Sequence, residues 1–359
     1  MNGVSRWLVS GCSILSFAVR AADGSAQNLV VLDSAAVVAR DVPFSGKPLA
    51  ELKDGRLLTF SNSDKVVLLI DPRRGTFDTL GREGRGPGEY LTILAAAVLT
   101  DGRIAAVDLS NSRLTIWKAD KKLDSIAAVP PSALYFDAEL DAEGRVYWKD
   151  IPANSPAFLG PIDRPGRHPD SSWLYRLKPP SKRHDTVASL VHRPAAWIGS
   201  AYKLPLLYGA QDVWGVLPDG TIWIARTREN RVDRLSRDGP WRLGTPRPWQ
   251  PIPTSDADAR MAANLSGSPP DSLPRPMAKH RPPFDYAVAG DEGEVWTHQS
   301  RPPGAARELF AVFPPAGPSL LTVSLPARRR LVRVSSAVIY ALVEAEDGSW
   351  VLEEYRRPH

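Results

Sequence analysis

The sequence contains almost no cysteine and little histidine. Of its 359 residues, one is cysteine and six are histidine. Because the one cysteine, Cys12, lies in the N-terminal segment, the rest of the chain has no disulfide, no thiolate nucleophile and no cysteine-bound metal. No two histidines have the spacing of a metal site, although His168, His184 and His192 share one segment. The Gly-x-Ser-x-Gly elbow of many hydrolases is also missing.

Long runs of one charge are missing too. The net charge is +5, yet no run of five or more basic residues occurs, and the clusters are as small as Arg328-Arg329-Arg330. A nucleic-acid-binding surface would need a basic stripe with interleaved aromatic residues. We therefore expect a mildly basic, solvated surface and no nucleic-acid partner.

The one long apolar run stands at the N-terminus. Arg6 precedes the mostly apolar stretch Trp7–Val19, and small residues follow, with cleavage sites after Ala21 or Ala26. This pattern predicts a signal peptide over the first 26 residues, too short for a transmembrane helix of about 20 apolar residues. Two alternatives are a lipoprotein anchored at Cys12 and an uncleaved or cytoplasmic start. We expect a secreted or periplasmic protein without a transmembrane segment.

Turn-forming and aromatic residues are abundant. The chain has 34 prolines, 26 glycines and 11 tryptophans. Many chain breakers together with many aromatic residues favour an all-β protein. One unit recurs: an acidic-glycine turn, a strand, a polar turn and a second strand. Its turns are Asp54-Gly55, Asp101-Gly102, Glu143-Gly144, Asp219-Gly220 and Asp291-Glu292-Gly293, and a sixth unit begins at Ser335.

Such units predict a ring. An Asp-Gly turn reverses the chain, and each small sheet can bury both faces only by stacking radially on its neighbours. A spare strand at Leu29–Ala39 is predicted to pair into the last blade. The sequence thus predicts one six-bladed β-propeller over 27–359, with blades of about four antiparallel strands. Trp148, Trp223 and Trp296 are predicted to pack between blades.

Two proline-rich insertions interrupt the repeat, near 152–194 and 245–283. The second contains the one convincing helix, Asp256–Leu265, with Ser255 as its cap and Gly267 after its end. In repeat proteins such insertions map to one face, often the binding face.

The most distinctive stretch is the glycine-rich decapeptide Gly81–Tyr90. It lacks the Gly-Lys-Ser/Thr ending of a phosphate loop and opens no helix. Two interpretations remain. It is a tight link between blades, in which glycines take positive φ and Glu89 or Arg82 satisfies backbone groups. Alternatively, Arg82, Arg85, Glu89 and Tyr90 form a rim that faces a ligand.

Three cations recur in the polar turns of different blades: Lys65, Arg113 and Arg231. Each could bond across a blade boundary. Together they could instead form a ring that attracts an anionic ligand.

The decapeptide resembles the Gly-x-Glu-Gly-x-Gly-Pro-Gly-Glu-aromatic signature of bacterial six-bladed β-propeller proteins related to NHL repeats. Asp108–Trp117 is similar to the Asp-x-x-Asn-x-Arg pattern of that group, and Val338–Tyr355 looks like its closing blade. The resemblance covers roughly 30–356. It implies a secreted or envelope protein without an assigned activity.

We therefore predict a monomeric, non-catalytic binding or scaffold module for a protein or small molecule, with no catalytic residues, metal ligands or cofactor assigned. Calcium at an aspartate turn or in the channel is the cofactor alternative. The functional alternative is a metal-dependent hydrolase or lyase acting at the channel mouth, as lactonase-like propellers do. It needs three or four Asp, Glu, Asn or His side chains that converge on the axis.

Overall fold

The structure is a computed structural model that describes residues 28–43, 46–130, 137–149, 171–198, 202–265, 276–319 and 321–357. The expected signal peptide with Cys12 lies outside these residues, as do His168 and Gly267, so the roles assigned to them stay predictions.

The first half of the chain forms two blades and the start of a third. Two strands come first, β1 (Asn28–Val31) and β2 (Ala36–Ala39). Blade one consists of β3 (Ala50–Glu51), β4 (Leu57–Ser61), β5 (Val66–Asp71) and β6 (Thr76–Leu80). The short strands β7 (Arg82–Glu83) and β8 (Glu89–Tyr90) follow. Blade two consists of β9 (Ile93–Val98), β10 (Ile104–Asp108), β11 (Arg113–Trp117) and β12 (Leu123–Ala128). Blade three begins with β13 (Ala138–Leu140) and β14 (Val146–Lys149).

The second half completes the ring. Blade three ends with β15 (Ser171–Leu177) and β16 (Asp185–Val191), and the hairpin β17 (Ala195–Ile198) and β18 (Tyr202–Pro205) follows. Blade four consists of β19 (Val213–Val216), β20 (Ile222–Arg226), β21 (Arg231–Leu235) and β22 (Trp241–Arg242). Next come β23 (Ile252–Pro253), α1 (Asp256–Leu265) and β24 (His280–Arg281). Blade five consists of β25 (Phe284–Ala289), β26 (Val295–Gln299), β27 (Arg307–Phe313) and β28 (Leu321–Pro326). Blade six holds β29 (Arg329–Val334), β30 (Val338–Glu344) and β31 (Trp350–Arg356).

Each blade is an antiparallel sheet that the predicted turns create. The turn glycines all have positive φ, which only glycine adopts readily: Gly55, Gly102, Gly144, Gly220 and Gly293. The middle strands are apolar and buried, as β4 is along its whole length, because neighbouring blades cover both faces. The outer strand β6 is exposed at four of its five residues. The six-bladed all-β prediction is confirmed.

The ring is closed by the N-terminal strands, but not by a single strand in a single blade. β2 pairs antiparallel with β31 and becomes the outer strand of blade six. β1 pairs parallel with β28 and adds a fifth strand to blade five. Residues 32–35, between β1 and β2, carry the chain from blade five to blade six. Only β2, the second part of the predicted strand, therefore joins the last blade.

Hydrophobic side chains fill the six boundaries between neighbouring blades. Separate buried clusters join blades one and two, two and three, three and four, four and five, five and six, and six and one. Trp148, Trp223 and Trp296 are 3%, 4% and 2% exposed within these clusters, which confirms their predicted packing. Since every boundary is filled, each blade is stabilised by both neighbours.

The first strands of the blades lie innermost and run in the same direction. Their ends meet in hydrogen bonds from Thr100 N to the Ala142 carbonyl at 2.9 Å and from Ala142 N to the Pro218 carbonyl at 3.0 Å. We call the face at which these strands begin the N-face and the face at which they end the C-face. Because the strands alternate in direction, the turns between second and third strands lie on the N-face.

The two insertions leave from the N-face. The first, 152–194, contains β15 and β16, so a large part of it belongs to blade three. The second contains α1 over the predicted residues. Ser255 stands at the cap position of this helix, where Asp258 Oδ2 in the first turn accepts hydrogen bonds from the Ser255 N–H and hydroxyl, both at 2.8 Å. Among the described residues, no helix is long and apolar enough to cross a membrane.

Candidate functional site

The decapeptide Gly81–Tyr90 links the outer strand of blade one to the inner strand of blade two, as predicted. Within it, β7 and β8 pair in parallel. The Glu89 carboxylate closes the loop by accepting hydrogen bonds from Gly86 N at 2.6 Å and from Arg82 Nε at 2.9 Å. The Gly86 bond, followed by the Arg82 bond, holds the pKa of Glu89 below its ordinary value. A Cβ at Gly84 would stand 2.1 Å from Glu89 Oε2, so this closure requires glycine.

The Asp-x-x-Asn-x-Arg motif of blade two binds this loop. Asp108 Oδ2 accepts a hydrogen bond at 2.8 Å from the first backbone N–H after the loop. Asn111 Nδ2 donates to the Gly84 carbonyl at 3.0 Å. Arg113 donates to the Gly86 carbonyl at 2.7 Å. Two sequence features that carried the family resemblance are therefore parts of one assembly.

The four predicted rim residues of the loop differ in their access to solvent. The Arg82 side chain is 81% exposed and Arg85 is also exposed. Glu89 is engaged by the loop itself. Tyr90 is fully buried, its hydroxyl accepts a hydrogen bond from Trp117 Nε1 at 2.7 Å, and burial raises its pKa to about 12. Tyr90 thus lies between blades rather than on the rim, while the two arginines remain candidates for ligand contact.

The three turn cations do not occupy equivalent positions. Arg113 and Arg231 are the first residues of their strands, whereas Lys65 precedes its strand by one residue. Its backbone φ of 58° corresponds instead to those of Ser112, 50°, and Asn230, 48°. Sequence reasoning did not detect this one-residue offset, because a cation lies next to the polar turn in each of the three blades.

Each of these cations also has a partner within the protein. Lys65 donates to the carbonyl of Asn62 in its own turn. Arg113 binds the decapeptide loop, and Arg231 Nε binds Asp233 Oδ1 at 2.9 Å. Of the two alternatives, the bonding of Arg113 matches the cross-blade interpretation. A ligand-binding role of the three cations stays a prediction.

The inner strands surround a central cavity of about 770 Å³. Its lining includes apolar residues such as Leu140 and Val288 and charged residues at both ends. This size lies within the range of small-molecule sites, roughly 300–1,000 Å³. The cavity is the strongest candidate for a ligand site in the described part of the chain.

A charged cluster spans the cavity at the N-face. Lys47 Nζ lies 2.5 Å from Asp137 Oδ1 and 2.9 Å from Glu139 Oε1. Lys149 Nζ and Trp214 Nε1 approach the second Asp137 oxygen at 3.4 and 3.1 Å. Burial alone would lower the pKa of Lys47, but the two carboxylates raise it. Lys47 precedes blade one and the acids belong to blade three, so the ion pairs join blades that are not neighbours.

A second cluster lies beside the cavity in blade five. His298 Nδ1 is 2.6 Å from Asp285 Oδ1, and its Nε2 is 2.9 Å from Glu308 Oε2. Its ring stacks on Tyr286 at 4.8 Å, and Arg330 covers the same tyrosine at 4.5 Å. Burial opposes the charged histidine, yet the two carboxylates raise its pKa to about 9. The imidazolium therefore donates from both nitrogens at neutral pH.

Arg333 joins three blades at the C-face. It lies on β29 of blade six and binds Glu51 of blade one at 2.9 Å and Asp291 of blade five at 2.8 Å. Its side chain is 12% exposed. This contact holds the inner strands together at the closure of the ring.

The carboxylates near the axis are held by cations of the chain itself, as Asp137 and Asp285 show. Among the described residues, no group of three or more His, Cys, Asp and Glu side chains is placed to hold a metal ion. The turn aspartates cap their own turns: Asp54 Oδ1 accepts from Arg56 N at 3.1 Å and Asp219 Oδ1 from Thr221 N at 2.8 Å. Calcium binding stays a prediction.

Comparisons with known proteins support the fold. No protein-family model and no curated protein matches the chain. Similar solved structures include a DUF4221 family member from Bacteroides vulgatus, with 8% identity, a TM-score of 0.52 and coverage of 96% of this chain and 98% of that chain. A putative exported protein from Bacteroides fragilis has 11% identity, a TM-score of 0.50 and coverage of 92% and 99%. A gluconolactonase from Xanthomonas campestris has 15% identity, a TM-score of 0.45 and coverage of 96% of each chain.

At such identities the likeness concerns architecture alone. It agrees with a six-bladed propeller, and the relation to NHL repeats stays a prediction. The enzyme names of some similar structures therefore assign no activity to this chain.

The cavity charges were missed by the sequence reasoning, although a signal existed. Counting back seven or eight residues from the turn glycines Gly144 and Gly220 leads to Asp137 and Asp212. The same count from Gly293 leads to Asp285. In these three blades an aspartate lies near the start of the inner strand, at the N-face end of the cavity. The recurrence of this aspartate can be seen in the sequence only when the units are aligned by their turn glycines.

Proposed function

We propose that this protein is a non-catalytic binding module, exported from the cell, whose central cavity accepts a polar small molecule or a polar group of a protein partner from the N-face. The observation that carries the proposal is the cavity itself, with charges of both signs at its N-face end. A ligand with both hydrogen-bond donors and acceptors would match Lys149 and Glu139 there.

The pairing of the cavity charges supports binding rather than catalysis. Asp137 and Glu139 share Lys47, and Asp285 is bonded to His298. A general base or a metal ligand needs a carboxylate that is directed at the substrate or metal, and these are directed at cations of the chain. Paired charges instead offer an already ordered polar surface, which lowers the entropic cost of binding.

Isothermal titration tests the binding proposal with three probes: glucose, gluconate and glycine, which are a neutral polyol, an anion and a zwitterion. We expect at least one to bind, and Glu139→Gln to weaken its binding about tenfold by removing a charge-assisted hydrogen bond. Glu83→Gln is the matched control, because Glu83 is exposed on the decapeptide loop. Equal binding by both variants and the parent would place the ligand elsewhere.

The metal-dependent hydrolase alternative is tested on the same protein. Gluconolactone hydrolysis is followed with and without added calcium or zinc, together with the melting temperature. We expect no turnover above background and no metal-dependent rise in melting temperature. Metal-dependent turnover would replace the binding proposal with the enzyme alternative.

Export rests on the sequence of the first 26 residues, with their positive Arg6 and apolar Trp7–Val19. Cell fractionation of the full-length chain should recover a shortened protein outside the cytoplasm. A Cys12→Ala variant separates the lipoprotein alternative, because only lipid anchoring depends on that cysteine.

A further inference from the structure

A second pocket lies on the C-face between blades three and four. Its volume is about 390 Å³. Turns of three hairpins, β13–β14, β15–β16 and β21–β22, surround it, and five cations line it: Arg145, Arg176, Lys178, Arg183 and Arg237. These hairpin turns are at the opposite end of the ring from the N-face mouth, so this pocket is separate from the proposed ligand cavity.

The cations outnumber the acids that face them. Asp185 and Asp238 are the acids of the wall. Behind the wall, Asp141 and Glu143 both bind Arg145, at 3.0 and 2.7 Å. Glu143 is shared further with Arg237 and, at 3.7 Å, with Lys178. Five cations thus face four acids, and the exposed Lys182 on the same turn adds a further positive charge.

Two arginines retain donors for a ligand. Arg176 reaches Asp185 and the Arg237 carbonyl only at 3.4 Å each, which is long for a charge-assisted hydrogen bond. The exposed guanidinium of Arg183 binds no partner among the residues that the structure describes, while its backbone N–H is fixed by Ser181 Oγ at 3.0 Å. The turn is therefore ordered, but the charged group that it presents is not neutralised.

We propose that this C-face pocket binds the phosphate group of a small molecule, either free phosphate or a phosphate monoester. Guanidinium groups offer parallel N–H donors that match the oxygens of phosphate. A ligand between Arg176 and Arg183 would bridge the strand β15 and the turn that follows it. The pocket volume leaves room for more than the phosphate group itself. The proposal is independent of the N-face cavity and its ligand.

Isothermal titration tests the proposal with inorganic phosphate, glucose 6-phosphate and glucose. We expect the two phosphates to bind, and the signal for glucose to be the same in the parent and in Arg183→Gln. Arg176→Gln and Arg183→Gln should each weaken phosphate binding about tenfold, because each removes charge-assisted donors. Arg74→Gln is the control, since Arg74 is an exposed arginine in the β5–β6 turn of blade one, away from this pocket. Because Arg183 is exposed in a turn, its variant should keep the parent's melting temperature.

The outcomes separate the sources of the phosphate. Binding of inorganic phosphate alone supports a site for the free ion, and tighter binding of glucose 6-phosphate supports a monoester. No binding of either phosphate overturns the proposal. It is also overturned if Arg183→Gln binds as tightly as the parent, or if Arg74→Gln loses as much affinity.

Discussion

At the scale of single residues, Arg247 and His298 show how buried charges in this protein are hydrogen-bonded to specific side chains. Arg247 is 5% exposed and donates to Ser319 Oγ at 2.8 Å and to Thr322 Oγ1 at 2.6 Å. Burial lowers its pKa to about 10. His298 is held by two carboxylates. A buried charge without such partners would cost several kcal/mol, so these bonds are conditions of the fold.

The raised pKa of His298, about 9, predicts a pH-dependent stability. Because the folded-state pKa exceeds the unfolded one, the stabilisation is fully present below about pH 6.5 and is lost as pH rises through about 9. The loss should be roughly 2–3 kcal/mol. Urea unfolding at pH 6, 8 and 9.5 should show this decrease in the parent and a smaller one in His298→Gln. His280→Gln, at an exposed histidine, should follow the parent. Parallel pH profiles for the parent and His298→Gln would refute the assignment.

The decapeptide provides a second residue-scale prediction. Glu89→Ala removes the carboxylate that closes the loop and accepts the Gly86 N–H, so it should lower the free energy of unfolding more than Arg82→Ala does. Arg82→Ala breaks an exposed ion pair and should cost less than about 1 kcal/mol. Arg85→Ala, whose side chain is exposed on the same loop, should melt like the parent. If Glu89→Ala melts like the parent but loses a binding partner, the loop is a ligand rim and not a structural link.

At the scale of elements, the loop and its motif explain each other. The Asp-x-x-Asn-x-Arg pattern is complete only in blade two, and the decapeptide that it binds precedes only blade two. The N-terminal strands show a similar dependence on context. β1 and β2 pair with β28 and β31, strands that lie about 300 residues later in the chain.

Removing the N-terminal strands should therefore open the ring. A chain that begins at Arg40 lacks β1 and β2 and exposes the outer edges of β28 and β31. We expect it to aggregate or to lose its cooperative thermal transition. A chain that begins at Gln27 is the matched control and should keep the full-length melting temperature. Both are compared by circular dichroism and scanning calorimetry. Equal cooperative transitions would show that the ring does not need these strands.

At the scale of the whole molecule, stability comes from a closed set of contacts. Six apolar boundaries surround the axis, and ion pairs join the inner strands at both ends. Lys47 crosses the N-face, and Arg333 joins three blades at the C-face. In a closed ring every blade has two neighbours, so weakening one boundary affects the entire assembly.

Arg333→Ala tests this closure. It leaves Glu51 and Asp291 without their shared cation, and burial already raises the pKa of Asp291. We expect the free energy of unfolding to fall by about 1–2 kcal/mol, less than for a fully buried pair because both acids are partly exposed. Arg328→Ala is the control, since its side chain is 69% exposed and lies 3.8 Å from Glu344. Chemical denaturation measures both. A loss of equal size in the two variants would contradict a closing role for Arg333.

The repeat, the all-β class, the positions of the turns and the helix Asp256–Leu265 could all be predicted from the sequence. These depend on local chemistry: acidic-glycine pairs set turns and apolar runs set strands. Only the folded ring buries Tyr90 against Trp117 and leaves Arg82 exposed, because both belong to the same glycine-rich decapeptide and no local pattern distinguishes them. The folded ring also decided that Lys47 meets Asp137 and that Arg176 and Arg183 share a pocket. Contacts across a ring join residues of different blades, and no local pattern records how closed sheets bring them together.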